Sequence, residues 1–467
     1  MPDNYFMDKD AYIRKLENEI VQLKKRIEEL ERLLRMNSSN SSKPPSSDPP
    51  GTPVAELPKH RHKKRGARSG HQSHLRELLP PEFVKQYIHL KPDVCTCGSA
   101  NLGDTDQKPL RHQVVDIPPI KPHVIEYVQH ICQCRDCGAF VYRPLPDEVK
   151  RRYFGPGVLA IVGILTGDIN TSKRKALAVI NEVFSVPMSL GGLSNCEAQL
   201  SEVTQQPYNE VAEHVRGQQT AHADETGWPR GNRLKGWLWA LCCQTAAFFM
   251  VQAGRGQQAA KKLLDTFGGT LNSDRWSGYN FFVGLRQICW AHLKRDFKAI
   301  SEAKGLLGKI GCQLHDLAKE ILKLRKRVRD GTLQWPTFQR RIPELQKRVE
   351  SLLEAGAKFD GNLGGKCRDI LEHKKYLWTF VQDQRVEPTN NAAERVVRQA
   401  VLWRKNSFGT QSERGAQYVE RILTVCATCR LQGRSVIEYL RDACHCHLNG
   451  IPVPSLIKPT GSLTKSA

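Results

Sequence analysis

Long hydrophobic runs are missing from this sequence. The longest apolar stretch, Trp237 to Ala253, is broken by Gln244 and Thr245. It falls short of the roughly 18–20 residues that a spanning helix needs, so no membrane segment is expected. It reads instead as two buried strands around a turn. The mean hydropathy of −0.48 agrees. Also missing is a basic and then apolar leader after Met1, Pro2, Asp3 and Asn4, so no secretory signal is expected. Acid is scarce relative to base: 48 Asp and Glu stand against 70 Lys and Arg, a net charge of +22. Such an excess concerns partners rather than fold. It favours a polyanion, most often nucleic acid, over a merely soluble basic protein.

Cysteine is not scarce. Fifteen Cys form an odd count in a long chain without an export signal. Reduced thiols in a cytoplasmic compartment fit better than a disulfide framework, and clustered Cys then point to metal. The length of 467 residues suggests roughly three domains as a prior.

Residues 8–36 carry the strongest periodicity. Ile13, Leu16, Ile20, Leu23, Ile27, Leu30 and Leu34 are spaced 3, 4, 3, 4, 3, 4, with Lys, Arg and Glu between them. This is the seam of a short coiled coil. Such a helix either pairs with a second copy or packs on its own domain. No core-sized segment adjoins it, which favours self-association and a homodimer or larger assembly.

Residues 37–58 are rich in Ser, Asn and Pro and read as a flexible linker. A basic run follows, Lys59, Arg61, Lys63, Lys64, Arg65 and Arg68, with no acid among them. It suits phosphate neutralisation without sequence readout, or a solvated tether. Residues 80–150 read as a β-rich module, with alternation at His112–Ile117 and His123–Ile131. Residues 151–215 read as helical, opened by Gly155, Pro156 and Gly157. Short strands are expected at Gln219–Ala223, Leu234–Cys242, Ala247–Ala253, Thr270–Ser273 and Arg286–Trp290, with a helix at Gln257–Phe267. That order gives a mixed α/β sheet. Residues 292–380 and about 389–448 read as helical.

Cys95 and Cys97 precede Cys134-x-x-Cys137, with Cys132 nearby. Two thiolate pairs across a β-rich insert can build a structural zinc site. Cys95-x-Cys97 is one residue shorter than the usual knuckle, and a cluster of reduced thiols is the competing reading. Cys426-x-x-Cys429 has no second pair and reads as buried thiols. Cys444 and Cys446 around His445 give only a weak metal signal.

Two strands are expected to end on carboxylates, Asp224 in Ala-Asp-Glu-Thr-Gly-Trp and Asp274 in Asn-Ser-Asp-Arg-Trp-Ser-Gly-Tyr. Carboxylates emerging from adjacent strands can share a hard divalent cation such as Mg²⁺. A pair of such ions clamps the attacking and leaving oxygens of a phosphoryl displacement. Glu394 is the best third carboxylate, in the first turns of a helix started by Pro388, Thr389 and Asn390. As the bland alternatives, an Asp at a strand end is often a turn residue, and Glu394 with Arg398 could be a surface pair. Glu225 would face away from Asp224 if the strand continued.

These motifs, taken together, resemble the transposases of the insertion sequence 66 family, a branch of the Asp-Asp-Glu transposases. The resemblance rests on five segments: the linker Asn-Ser-Ser-Asn-Ser-Ser-Lys-Pro-Pro-Ser-Ser-Asp at 37–48, Ala223-Asp224-Glu225-Thr226, Ser273-Asp274-Arg275-Trp276-Ser277-Gly278-Tyr279, Cys289-Trp290-Ala291-His292, and Asn390-Asn391-Ala392-Ala393-Glu394-Arg395. It covers nearly the whole chain. The family's cysteine module usually opens with Cys-x-x-Cys; here Val94 stands where its first Cys would be.

The resemblance implies an α/β fold: a ribonuclease-H-like catalytic core with a helical insertion, preceded by a coiled-coil helix and a small zinc-finger-like cysteine module. The implied layout is a zipper at 8–36, linker and basic stretch at 37–79, cysteine module at 80–150, and a helical DNA-binding or connecting region at 151–215. The core follows at 216–295 and 386–410, with the insertion at 296–385 and a helical C-terminal region at 411–467. Asp224, Asp274 and Glu394 would bind Mg²⁺, for which Mn²⁺ may substitute. Cys95, Cys97, Cys134 and Cys137 would bind Zn²⁺. His292 would contact the scissile phosphate or water. Lys63, Lys64, Arg65, Arg68, Arg395, Arg398, Arg404 and Lys405 would hold DNA phosphates, which positions DNA without reading its sequence. The implied activity is metal-dependent cleavage and strand transfer at terminal inverted repeats, in a bacterial cytoplasm, with accessory proteins of the same element as further partners. A non-cleaving DNA-binding regulator is the alternative.

Overall fold

The computed structural model describes residues 9–38, 40–41, 48, 77–103, 105, 107–147, 149–150, 152–231 and 234–457. Lys63, Lys64, Arg65 and Arg68 lie outside the described residues, as does most of the 37–79 linker. Among the described residues no helix is long and apolar enough to cross a membrane. The chain divides into two units, Pro53–His123 and Met1–Thr52 with Val124–Ala467.

The described part of the smaller unit contains a single 3-10 turn, Pro81–Phe83, and no strand. This corrects the expected β-rich module. Val114, Val115 and Ile117 alternate as anticipated but lie exposed. Pro118, Pro119 and Pro122 supply no amide donors for a ladder. The segment 123–130, all of it but His123 in the larger unit, likewise stays outside any strand up to β1 (Ile131–Gln133). That strand forms a short antiparallel hairpin with β2 (Phe140–Tyr142).

Helix α1 (Lys9–Leu34) belongs to the larger unit. Its seam is uncovered: Ile13, Leu16, Ile20, Leu23, Ile27, Leu30 and Leu34 are 39–87% exposed. After the hairpin, α2 (Pro156–Gly163) opens at Pro156 with Gly155 as N-cap, an arrangement that suits proline at a first helical position. A π-helical segment, Ile164–Asp168, follows, then α3 (Lys173–Glu182), α4 (Leu190–Val203) and α5 (Gln205–Arg216).

Next come β3 (Thr220–Gly227), β4 (Trp237–Cys242), β5 (Ala247–Gln252), α6 (Gln257–Leu264), β6 (Thr270–Ser273) and β7 (Arg286–Ile288). They form one sheet in the order β5-β4-β3-β6-β7. The first three strands are antiparallel; β6 runs parallel to β3, and β7 parallel to β6. Strand β3 does not stop at Asp224, as expected, but continues to Gly227. Its pairing with β4 carries on through Asp224↔Ala240 to Gly227↔Trp237. The antiparallel neighbour thus holds Asp224 inside the ladder.

Helices α7 (Trp290–Ser301), α8 (Gly305–Arg329), α9 (Trp335–Ala357), α10 (Gly361–Glu372) and α11 (Thr379–Gln382) follow. They build their own hydrophobic core, which includes Trp290, Phe297, Ile321, Phe338, Leu353 and Phe380. A second core joins the sheet to α2–α6 and to α12 (Asn391–Ser407), α13 (Glu413–Leu431) and α14 (Val436–Leu448). Cys426 and Cys429 are fully buried in that core, as thiols should be on an inward helix face.

Helix α13 also closes the β5 edge of the sheet. Ala247, Phe249 and Val251 donate their amides to Thr428 Oγ1, Thr424 Oγ1 and Glu420 Oε1. Acceptors four residues apart on the helix meet donors two apart on the strand. An edge that would otherwise recruit another strand is blocked.

Candidate active site

Asp224 lies on β3, Asp274 directly after β6, and Glu394 in the first turn of α12. The parallel pairing of β3 with β6 sets the first two side by side. The third depends on where α12 starts, and a hydrogen-bonded clamp decides that. Asn390, the N-cap of α12, donates its side-chain amide to Ala223 O at 2.7 Å. Its Oδ1 lies 3.2 Å from His222 Nδ1, and Asn272 Nδ2 lies 3.4 Å from His222 Nε2. Burial pushes the His222 imidazole down to about 4, so it is neutral at pH 7. A neutral ring that donates from Nδ1 and accepts at Nε2 completes the chain from β6 through β3 to α12. The Asn390 amide donates to Cys289 Sγ at 3.1 Å, the Trp290 amide to Pro388 O at 2.9 Å, and Asn272 Nδ2 to Glu387 O.

The far end of α12 is fixed as well. Arg404 donates to Thr226 Oγ1 and to the Gly227 carbonyl. Phe408 (φ 60°) and Gly409 (φ 92°) end the helix in the left-handed region, and a Cβ at Gly409 would lie 2.0 Å from Pro229 O. Only glycine allows that approach. Arg404, expected to face DNA, is therefore occupied with the end of β3, whereas Arg395, Arg398 and Lys405 are exposed.

The carboxylates feel one another. The Asp224 carboxyl is pushed well above the usual range, first by burial and then by Glu225, Asp274 and Glu394. Glu225 points elsewhere, as the strand alternation requires. Its side chain is 2% exposed and pairs with Arg255 at 2.7 Å, while Tyr279 Oη donates to it at 3.0 Å. Arg255 in turn stacks on Trp237 and Trp276.

His292, two residues into α7, faces Glu394: Nδ1 lies 3.7 Å from Oε1. Arg295 Nη2 lies 3.6 Å from the same oxygen. Burial and the neighbouring Arg295 lower the His292 pKa, which favours the neutral ring. Neither His292 Nδ1 nor Glu394 Oε1 has a hydrogen-bond partner, although both are buried. Buried polar atoms without partners are costly unless something else satisfies them. Asp224, Asp274 and Glu394 act on one another electrostatically, but the three are not among the groups whose donor atoms come within 4.8 Å of one another; a hard divalent cation shared by all three would draw them together. Cys289, His292 and Glu394 do bring their donor atoms within 4.8 Å of one another. Burial raises the Cys289 thiol to about 11, and its sulfur already accepts from the Asn390 main-chain amide at 3.1 Å.

Cys95, Cys97, Cys134 and Cys137 divide between the two units. Each pair forms a similar tight turn. Cys95 N donates to Ser99 O and Gly98 N to Cys95 O; Cys134 N donates to Ala139 O and Gly138 N to Cys134 O. Gly98 and Gly138 have φ of 87° and 74°. The Cys95 turn is one residue shorter, as its spacing dictates. Backbone hydrogen bonds at Cys97 and Cys137 lower the pKa of Cys95 and Cys134, respectively.

Sequence reading missed Asn272, His222 and Arg255, and it took Asn390 only as a helix start. The doubled Asn before Ala-Ala-Glu was a usable signal, because a buried Asn with several partners needs its amide.

The family described as Transposase IS66 family matches residues 153–418, more than half of the chain, and the chain belongs to that family. A family of unknown function matches residues 7–77. Among curated relatives, the uncharacterized protein y4hP of Sinorhizobium fredii is 23% identical over 406 residues, 79% of this chain and 73% of that protein. Uncharacterized protein y4qI of the same organism is 26% identical over 49% of this chain and 48% of its own length. Uncharacterized protein y4jD is 20% identical over 80% and 79%.

Proposed function

We propose that this chain cleaves and joins DNA as the transposase of an insertion sequence, on a ribonuclease-H-like core interrupted by the helical insertion. The observation that carries the reading is the placement of Asp224 on β3, of Asp274 directly after the parallel β6, and of Glu394 at the start of α12, which Asn390 ties to Ala223; Asp274 and Glu394 both raise the Asp224 carboxyl. Membership of the transposase family supports it.

In this reading Asp224, Asp274 and Glu394 hold Mg²⁺, with Mn²⁺ as substitute. When bound, such ions supply Lewis acidity and charge neutralisation at a phosphodiester. The rest falls to the chain's own groups. Neutral His292 holds the attacking water or a phosphate oxygen beside Glu394. Water attack breaks the bond from phosphorus to the 3′ oxygen, which leaves as a hydroxyl after gaining a proton. That hydroxyl then loses its proton and bonds to the phosphorus of a target phosphodiester, whose own 3′ oxygen leaves and takes up a proton. Exposed Arg395, Arg398 and Lys405 hold phosphates along α12. The uncovered α1 seam pairs two copies, so two terminal inverted repeats are processed together. The basic stretch at 59–68 and the cysteine module bind those ends. Accessory proteins of the same element would assist, in a bacterial cytoplasm.

The test uses purified protein, paired end fragments and Mg²⁺ or Mn²⁺. Replacing Asp224, Asp274 or Glu394 by Ala should abolish cleavage and joining and leave end binding in place. Normal cleavage in any of the three would overturn the assignment. End binding without cleavage by the unaltered protein, even with the element's other products added, would favour a regulator.

A further inference from the structure

We propose that Arg275 is a positioning residue through which the helical insertion sets the geometry of Asp274. The proposal rests on the reading of Asp274 as a metal ligand.

Asp274 sits in a short loop, where the Trp276 amide donates to its Oδ1 at 3.0 Å. The orientation of that carboxylate therefore depends on the path of residues 274–276, and Arg275 is the middle one. Arg275 does not point to solvent; its side chain is 14% exposed. Its Nε donates to Asp369 Oδ2 on α10 at 2.6 Å, and its Nη1 to Asp296 Oδ2 on α7 at 3.0 Å. Lys366 of α10 holds the other oxygen of Asp296 at 2.6 Å. A planar guanidinium that engages two carboxylates on two helices has little freedom of its own.

The loop's other neighbour anchors it to the opposite side. Trp276 packs against Trp239 and Tyr279 of the sheet's core. Helices α7 and α10 belong to the separate core of the insertion. Residues 274–276 thus link two hydrophobic cores, that of the sheet and that of the insertion, which also takes in Ile288 of β7, with the candidate ligand at the junction. A shift of α10 against the sheet would move Arg275 and turn the Asp274 carboxylate with it. The insertion has a second hold on the site: Arg325 of α8 donates to Gln384 O at 2.7 Å and lies 3.3 Å from Glu387 Oε1, next to the turn that starts α12.

The test titrates Mn²⁺ into the full-length protein, reads free Mn²⁺ by electron paramagnetic resonance, and records thermal unfolding alongside. Arg275→Gln should weaken Mn²⁺ binding roughly 10-fold, as loss of a group that orients a ligand does. Asp369→Asn, on the half-exposed surface of α10, should reproduce most of that loss without touching the loop, whereas Glu372→Gln, which removes another donor of the Asp369–Glu372–His373 group, should not. The double variant should add little, since both changes cut one link. Arg275→Lys, which keeps the charge but not the two-way grip, should fall between. The proposal is overturned if Arg275→Gln and Asp369→Asn lower the unfolding temperature and leave Mn²⁺ binding unchanged. Asp274→Ala separates the two readings: if it keeps full Mn²⁺ binding, the ligand assignment itself fails, and the proposal with it.

Discussion

The side-chain amide of Asn390 reaches the main-chain carbonyl of Ala223 at 2.7 Å, one residue before Asp224. This bond ties the start of the glutamate-bearing helix to the aspartate-bearing strand. Asn390→Ala would leave the Ala223 carbonyl and His222 Nδ1 without their partner. A cost of about 1–3 kcal/mol is expected from a buried group left unpaired. Cleavage should fall further than stability alone explains, because Glu394 loses its register with Asp224, while end binding should persist. Thermal unfolding and strand transfer, measured on the same preparation, check this.

Arg404 and Arg398 lie on one helix and should behave differently. Arg404 holds Thr226 and the Gly227 carbonyl. Arg404→Ala should lower the unfolding midpoint and leave the salt dependence of DNA binding alone. Arg398 is exposed. Arg398→Ala should leave the unfolding midpoint alone and lower the slope of log affinity against log salt by about 1, the signature of a lost phosphate contact.

Glu420 supplies a pH dependence away from the site. Burial, first among its causes, pushes its carboxyl from the ordinary 4.5 to about 7. The folded state therefore binds a proton more tightly than the unfolded state between these values. Stability contributed by the protonated form is fully present below pH 4.5 and is lost as pH rises towards 7. Gln at this position still accepts from the Val251 amide and carries no charge. Glu420→Gln should therefore be about 3 kcal/mol more stable than the parent at pH 8 and nearly equal to it at pH 4.5, by chemical denaturation at both pH values.

The seam of α1 offers a test of assembly independent of the core. Leu23 is 61% exposed and Ile20 49% in the single chain. Ile20→Asp with Leu23→Asp would place charges at the centre of a paired seam. Sedimentation should show a smaller species, and the main unfolding transition should be unchanged. An unchanged sedimentation coefficient would dismiss pairing through α1.

Much of this arrangement was legible beforehand, because it depends on local chemistry. The heptad spacing from Ile13 to Leu34 is a helix whatever surrounds it. The apolar runs at 237–242 and 247–252 could only be buried strands around a turn. Gly155-Pro156 marked a helix start because proline needs no donor there. Local alternation failed at 112–117 and 123–130, because a strand requires a partner ladder and a covered face. Neither Val114 nor Val124 is covered. Arg404 was misplaced for a related reason: a cation on a helix reads as solvent-facing until a neighbouring strand end takes its donors.

The sequence by itself determined which chemistry is available: a coiled-coil seam, an excess of base, cysteine turns and three acids in distinctive motifs. Those are properties of residue type and short spacing. Only the tertiary structure decided that Asp224 sits inside a continuing strand rather than at its end. It alone set Glu394 against that strand through Asn390, and engaged Arg275 with Asp296 and Asp369. These relations join residues distant along the chain. Parallel pairing, a helix clamp and a buried guanidinium bring them together, and no local pattern encodes the distance between them.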